Sequence, residues 1–144
     1  MADKTTIVRR LFDDVWSKGN VKLLDEIVTT DYAHNDPMND LQGPDAMKDL
    51  VKKYRSAFPD CRIDIDELLT AGDKVVARWR YSGTQTGQFE GMPPTGRHAT
   101  GPGITIFRFQ GDRVQESHST WDALGMMQQL GVVTLPGKAA RVSR

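Results

Sequence analysis

Near the end of the chain, chemically able side chains recur at every second position. In the run VQESHSTWD, Val114, Glu116, His118, Thr120 and Asp122 share one side of an extended strand, while Gln115, Ser117, Ser119 and Trp121 take the other. Two carboxylates and an imidazole gathered on one face can exchange protons with a ligand. A carboxylate can even draw a proton from carbon between two carbonyls, provided that burial raises its pKa and its aim is fixed. Asp122 sits where the period changes: Leu124, Met127 and Leu130 follow at helical spacing and Gly131 supplies a stop. Asp122 therefore has two readings, an acid/base group and the N-cap of the helix, a cap being worth ~1 kcal/mol. His118 reads either as its partner or as a hydrogen-bonded strand histidine, and Glu116 as a pocket residue or as a rim partner of Arg108 or Arg113.

The elements that must position these residues can be read in order. Ile7, Val8, Leu11, Phe12, Val15 and Trp16 form the stripe of an amphipathic helix over residues 5–17, with Thr5 or Thr6 as cap. Asn20 starts a second, short helix with Leu23, Leu24, Ile27 and Val28 on its inner face. The polar segment TTDYAHNDPMND reads as a loop or short strand, in which His34 and Asp36 shape either the loop or the pocket. Pro44 opens a third helix whose inner face carries Met47, Leu50, Val51, Tyr54 and Phe58. Two alternating runs around Ala71-Gly72-Asp73 predict an antiparallel pair. Residues 83–103 hold six glycines and three prolines and predict a long loop between ragged strand ends. A strand over 104–110, a turn at Gly111-Asp112, a strand over 113–121 and the last helix complete the pattern.

Helices first and strands later imply an α+β fold: a cone-shaped, curved antiparallel sheet with three N-terminal helices and a C-terminal helix enclosing a pocket. Residues 1–131 form a single domain and 132–144 a C-terminal tail. Helices would give the pocket an apolar wall of Trp16, Met47, Tyr54 and Phe58, and the sheet would give it Glu116, His118, Thr120 and Asp122.

Composition narrows the partners. Nineteen basic and nineteen acidic residues cancel, which argues against nucleic acid or a membrane surface as partner. The one cysteine, Cys61, cannot form an internal disulfide, and there is no apolar leader or membrane-length run, so the expectation is a cytoplasmic protein. His34, His98 and His118 show neither an i,i+4 pair nor an HExxH unit, and the glycines form no GxGxxG between strand and helix; neither a metal nor another cofactor is expected.

The YAHNDP segment followed by GPDAM, the GMPPTGR loop and the LGMMQQLG ending, in this order, resemble the SnoaL-like polyketide cyclases (ester cyclases) of the nuclear transport factor 2-like fold. The resemblance covers nearly the whole chain up to Gly131. It implies a cofactor-free intramolecular aldol closure of a polyketide-type ester, with Asp122 matching the family's acid/base aspartate. It also implies a histidine or amide in the pocket, a role that falls to His118, where relatives often carry an aromatic residue. His34 matches a pocket-shaping histidine. The expected site is Asp122 and His118 as catalytic residues, with His34, Trp16, Tyr54, Phe58, Met92, Glu116 and Thr120 binding a small hydrophobic carbonyl substrate. A homodimer is implied as well. Two other functions stay open: an epoxide hydrolase, hydratase or isomerase in the same pocket, and a non-catalytic small-molecule binding module.

Overall fold

The computed structural model describes residues 3–134 and 136. Helix α1 (Lys4–Arg10) runs directly into a π-helical segment (Leu11–Ser17), and together they bury Ile7, Val8, Leu11, Phe12 and Val15. The cap differs from the expectation: Asp3 occupies the N-cap position without a side-chain bond to the helix backbone, and the Thr5 hydroxyl bonds the Asp3 carboxylate instead. A 3-10 turn (Val21–Leu23) leads into α2 (Leu24–Ile27), which buries Leu24 and Ile27. The third helix, α3 (Pro44–Ala57), begins on its proline and turns Met47, Leu50 and Val51 inward.

Six strands form one sheet: β1 (Val28–Asp36), β2 (Asn39–Gln42), β3 (Arg62–Ala71), β4 (Lys74–Thr84), β5 (His98–Gln110) and β6 (Arg113–Trp121). Their order is β2-β1-β6-β5-β4-β3, so β2 and β3 are the edges of an open, curved sheet. All neighbours are antiparallel except β1 and β6, which run parallel. The segment expected to be a loop or short strand is thus a hairpin of β1 and β2. Helix α4 (Ala123–Gln129) follows β6 at once. The tail expected from residue 132 onward lies largely outside the described residues.

The glycine-rich region is a long loop over residues 85–97 between strand ends, as expected, but β5 begins at His98, six residues before the strand read from 104. Gly101 and Gly103 lie inside β5, opposite Tyr81 and Trp79 of β4. A Cβ on Gly103 would come within 2.4 Å of the Trp79 ring, and one on Gly101 within 2.8 Å of the Tyr81 hydroxyl. These glycines make room for aromatic rings lying across the strand; their role is close approach, which composition alone does not distinguish from a turn.

A bulge sets the facing of β6. Phe109 pairs with Val114 and Arg108 with Glu116, so Gln115 is an extra residue on β6 with no counterpart on β5. One extra residue reverses the alternation beyond it. Val114 is buried, but after Gln115 the inward residues are Ser117, Ser119 and Trp121. Ser117 stands opposite buried Phe107, whereas His118 stands opposite exposed Ile106.

The helices cover the concave face of the sheet. Phe12 lies 6.0 Å from Trp79 and 5.8 Å from Phe107, ring centre to ring centre. Arg55 ties the layers together at one end: its Nη1 donates to the carbonyls of Trp16 (2.8 Å), Ser17 (3.0 Å) and Cys61 (3.3 Å). The guanidinium passes over Gly19, where a Cβ would lie 2.7 Å from Nε.

Adding a methyl group at Gly103 should displace the Trp79 ring. Gly103→Ala is expected to cost about 1–3 kcal/mol, as overpacking does, and to alter the near-ultraviolet circular dichroism. Urea unfolding measures the first effect, and unchanged stability with an unchanged spectrum would contradict the packing role of this glycine.

Candidate active site

A cavity opens between the helices and the concave face of the sheet. Leu11, Phe12 and Trp16 of the first helix, Met47, Leu50 and Tyr54 of α3, and Phe58 form its helical wall. Trp79 and Tyr81 of β4, Thr105 and Phe107 of β5, and Ser117, Ser119 and Trp121 of β6 form its sheet wall. The expected apolar wall of Trp16, Met47, Tyr54 and Phe58 is therefore at the cavity. The polar half is composed differently.

Strand β1 brings Tyr32, His34 and Asp36 to the cavity by simple alternation, and the parallel pairing with β6 places His34 level with Ser117. The four side chains form one hydrogen-bonded chain. His34 Nε2 lies 2.8 Å from Asp36 Oδ2, His34 Nδ1 lies 2.7 Å from Ser117 Oγ, and Ser117 Oγ also bonds the Tyr32 hydroxyl. His34 is 5 % exposed, Tyr32 and Ser117 1 % each, so the chain is shielded from bulk water. Beside it, Trp79 Nε1 donates to Thr105 Oγ1 (2.9 Å), which bonds Ser119 Oγ (2.7 Å).

Electrostatics keep Asp36 charged. Burial works against its anion, but hydrogen bonds from His34, the Met38 backbone N–H and Asn39, together with attraction to His34, outweigh that and hold its pKa below the ordinary carboxylate value. Burial pushes the Tyr32 phenol well above its usual range; the Ser117 bond opposes this and the charge of Asp36 adds to it. The Tyr54 phenol is raised first by burial and then by the charge of Asp36, with an Asn39 bond opposing.

The sequence-derived site residues divide. His34, Trp16, Tyr54 and Phe58 line the cavity. His118 and Thr120 do not: they are exposed on the convex face of the sheet, because the bulge at Gln115 turned them outward. Glu116 lies on that face too and accepts a 2.7 Å bond from Arg108 Nε, the rim pairing read as its other possibility. Met92 packs with Phe89, Phe58, Met126 and Leu130 in a second apolar cluster. That cluster is held by fully buried Gln85, whose amide donates to the carbonyls of Gly87 and Pro93 and whose oxygen accepts from the Thr95 hydroxyl. Asp122 is the N-cap of α4: its Oδ1 accepts from the Gly125 N–H at 2.8 Å, and its backbone carbonyl lies 3.4 Å from the hydroxyl of cavity-lining Tyr81. Burial, and then the charge of Asp122, push the Tyr81 phenol up.

Tyr32, Asp36, Ser117, Ser119 and Thr105 are functional candidates that the pattern did not bring together. The Tyr32-Ala33-His34-Asn35-Asp36 alternation was the available signal, obscured by the turn-forming Asn35-Asp36-Pro37. Among the described residues, no three or more His, Cys, Asp or Glu side chains are grouped to hold a metal ion.

Fold and cavity define a class: a cone-shaped α+β protein that encloses a small-molecule pocket. The chain belongs to the SnoaL-like polyketide cyclase family, whose model matches residues 6–130. It is 27 % identical over 136 residues to the aklanonic acid methyl ester cyclase DnrD of Streptomyces peucetius, covering 91 % of this chain and 92 % of that one. It is 27 % identical over 137 residues to the aklanonic acid methyl ester cyclase DauD of Streptomyces sp. (strain C5), covering 91 % and 83 %. Among solved structures, TsrD of Streptomyces laurentii superposes with a TM-score of 0.80 at 28 % identity, over 92 % of this chain and 100 % of that one. A Jannaschia sp. CCS1 protein assigned to the same family gives 0.83 at 25 %, over 91 % and 93 %. The family and the cone-shaped fold implied by the sequence are both borne out.

The charge on Asp36 carries a pH dependence. A carboxyl whose folded pKa lies below its unfolded value contributes stability that is complete above the unfolded value, ~3.9, and is lost as pH falls through the folded one. Asp36→Asn should therefore cost about 1–3 kcal/mol at pH 7, where His34 loses a charged acceptor. The difference from wild type should shrink as pH falls below about 4. Urea unfolding at a series of pH values measures both effects; a difference independent of pH would refute the linkage.

Proposed function

We propose that this member of the cyclase family closes a ring by intramolecular aldol addition in a polyketide-type ester, by proton transfer alone and without a cofactor. The observation that carries the reading is the cavity itself: apolar and aromatic over most of its wall, with its polar groups gathered in hydrogen-bonded chains. Such a pocket folds a flexible chain into a reactive shape, and orientation alone can supply roughly 7–11 kcal/mol of the barrier in favourable cases. The two relatives named as methyl ester cyclases support an ester as the substrate.

For the acid/base group we propose Asp122, by its match to the family position and its place beside cavity-lining Tyr81, whose hydroxyl lies 3.4 Å from the Asp122 backbone carbonyl and whose phenol its charge raises. Capping and catalysis are compatible roles for one carboxylate at the start of a helix. His118 has no part in this proposal, because it lies on the opposite face of the sheet. That convex face exposes Ile104 and Ile106, which supports a homodimer formed across it. Among the described residues no helix is long and apolar enough to cross a membrane, and a cytoplasmic location remains part of the same reading.

Aklanonic acid methyl ester is the substrate with which to test this. The expected product has the mass of the substrate and gains no oxygen from labelled water; incorporation of solvent oxygen would identify a hydrolase or hydratase instead. Asp122→Asn keeps an oxygen for the Gly125 N–H and removes the base. Its kcat is expected to fall roughly 100-fold or more, with little change in Tm. A Tm loss with kcat unchanged would leave Asp122 as a cap only.

A further inference from the structure

Hydrogen-bond accounting on the deep wall of the cavity points to the kind of group that binds there. Asp36 is an acceptor, so His34 Nε2 carries the proton in their bond and, in the neutral ring, Nδ1 presents its lone pair to Ser117. The Ser117 hydroxyl proton then goes to Nδ1, and the Tyr32 proton goes to Ser117 Oγ. Each hydroxyl or ring proton of the chain is directed along it, toward Asp36. What these side chains still have to offer is lone pairs: on the Tyr32 oxygen, on Ser117 Oγ and on the Asp36 carboxylate. A ligand carbonyl brought to these four side chains would find no proton to accept from them and would face a buried anion. A ligand hydroxyl would find acceptors.

We propose that this end of the cavity is a subsite for an acidic hydroxyl, phenolic or enolic, carried by a flat apolar molecule. The apolar molecule follows from the surroundings, Phe12, Leu50, Trp79 and Phe107, while Arg62 of the lining is paired with Asp64. The inference deepens the cyclase reading and rests on it for the natural ligand, since a 1,3-dicarbonyl polyketide presents such hydroxyls in its enol form. It also bears on substrate length: Asp122 lies five residues beyond Ser117 along extended chain, roughly 16 Å at strand rise. A substrate that meets both is elongated, with oxygen at its far end.

The test needs no turnover. Calorimetry on the full chain compares 1-naphthol with 1-methoxynaphthalene, which has nearly the same shape and no proton to donate, and with 1-acetylnaphthalene, which offers a carbonyl. Wild type should bind 1-naphthol roughly 10-fold more tightly than either. Ser117→Val should abolish the preference and Ser117→Thr, of the same shape but with a hydroxyl, should keep it. His34→Asn, read in the same way, serves if valine is not accommodated at 117. Equal binding of the three probes, tighter binding of the ketone, or a preference that survives both Ser117→Val and His34→Asn overturns the subsite. Failure of ring closure with the preference intact overturns the cyclase reading alone, whereas ring closure without the preference overturns this inference alone.

Discussion

The whole site depends on one residue that the neighbouring strand does not match. Gln115 inserts into β6 where β5 has no counterpart for it, and every side chain beyond it changes face. Without the bulge, Glu116 and His118 would point into a cavity walled by Phe12, Trp79 and Phe107. A lone carboxylate there would lose its hydration for no partner, a penalty of several kcal/mol. With it, Ser117 and Ser119, small and uncharged, turn inward, and Glu116 meets Arg108 in partly exposed surroundings. The bulge exports charge and imports hydroxyls.

The inward hydroxyls matter because of what the neighbouring strand delivers. Parallel pairing sets His34 level with Ser117, and alternation along β1 adds Tyr32 and Asp36 on the same side. A charged carboxylate in such a place persists only if its bonds are kept, and His34, Met38 and Asn39 keep them. The resulting polar chain is mounted on strands and not on loops, which fixes its geometry before any ligand arrives. Its cost in desolvation is offset locally, so the rest of the cavity can stay apolar and select by shape.

Local signals made much of this fold legible. Pro44 and the Met47, Leu50, Val51 spacing defined α3, the glycine turns defined the β3–β4 and β5–β6 hairpins, and Asp122 before a helical run defined a cap. The errors came where a local signal had a nonlocal cause. Gly101 and Gly103 resembled loop residues because nothing near them in sequence reveals Trp79 and Tyr81 lying across β5. Asn35-Asp36-Pro37 is a turn signal, and it does end β1, but the alternation ahead of it carried the polar residues of the cavity. A bulge has no residue signature comparable to a proline or a glycine, so parity counted from Val114 assigned the wrong face to Glu116, His118 and Thr120. The apolar helical wall was readable because the apolar stripe of the first helix carries on through its π-helical segment to Trp16 and that of α3 runs from Met47 to Tyr54.

The contact between Arg55 and Gly19 has a consequence for sequence variation. The guanidinium that gathers the carbonyls of Trp16, Ser17 and Cys61 lies where any side chain at position 19 would begin. Position 19 must also accept a φ of +80°. A residue larger than glycine there is admissible only together with a shorter one at 55, and that exchange would leave three carbonyls without their shared donor. The two positions, far apart in the chain, are therefore free to drift only as a pair, and the rim of the cavity at Trp16 and Cys61 drifts with them.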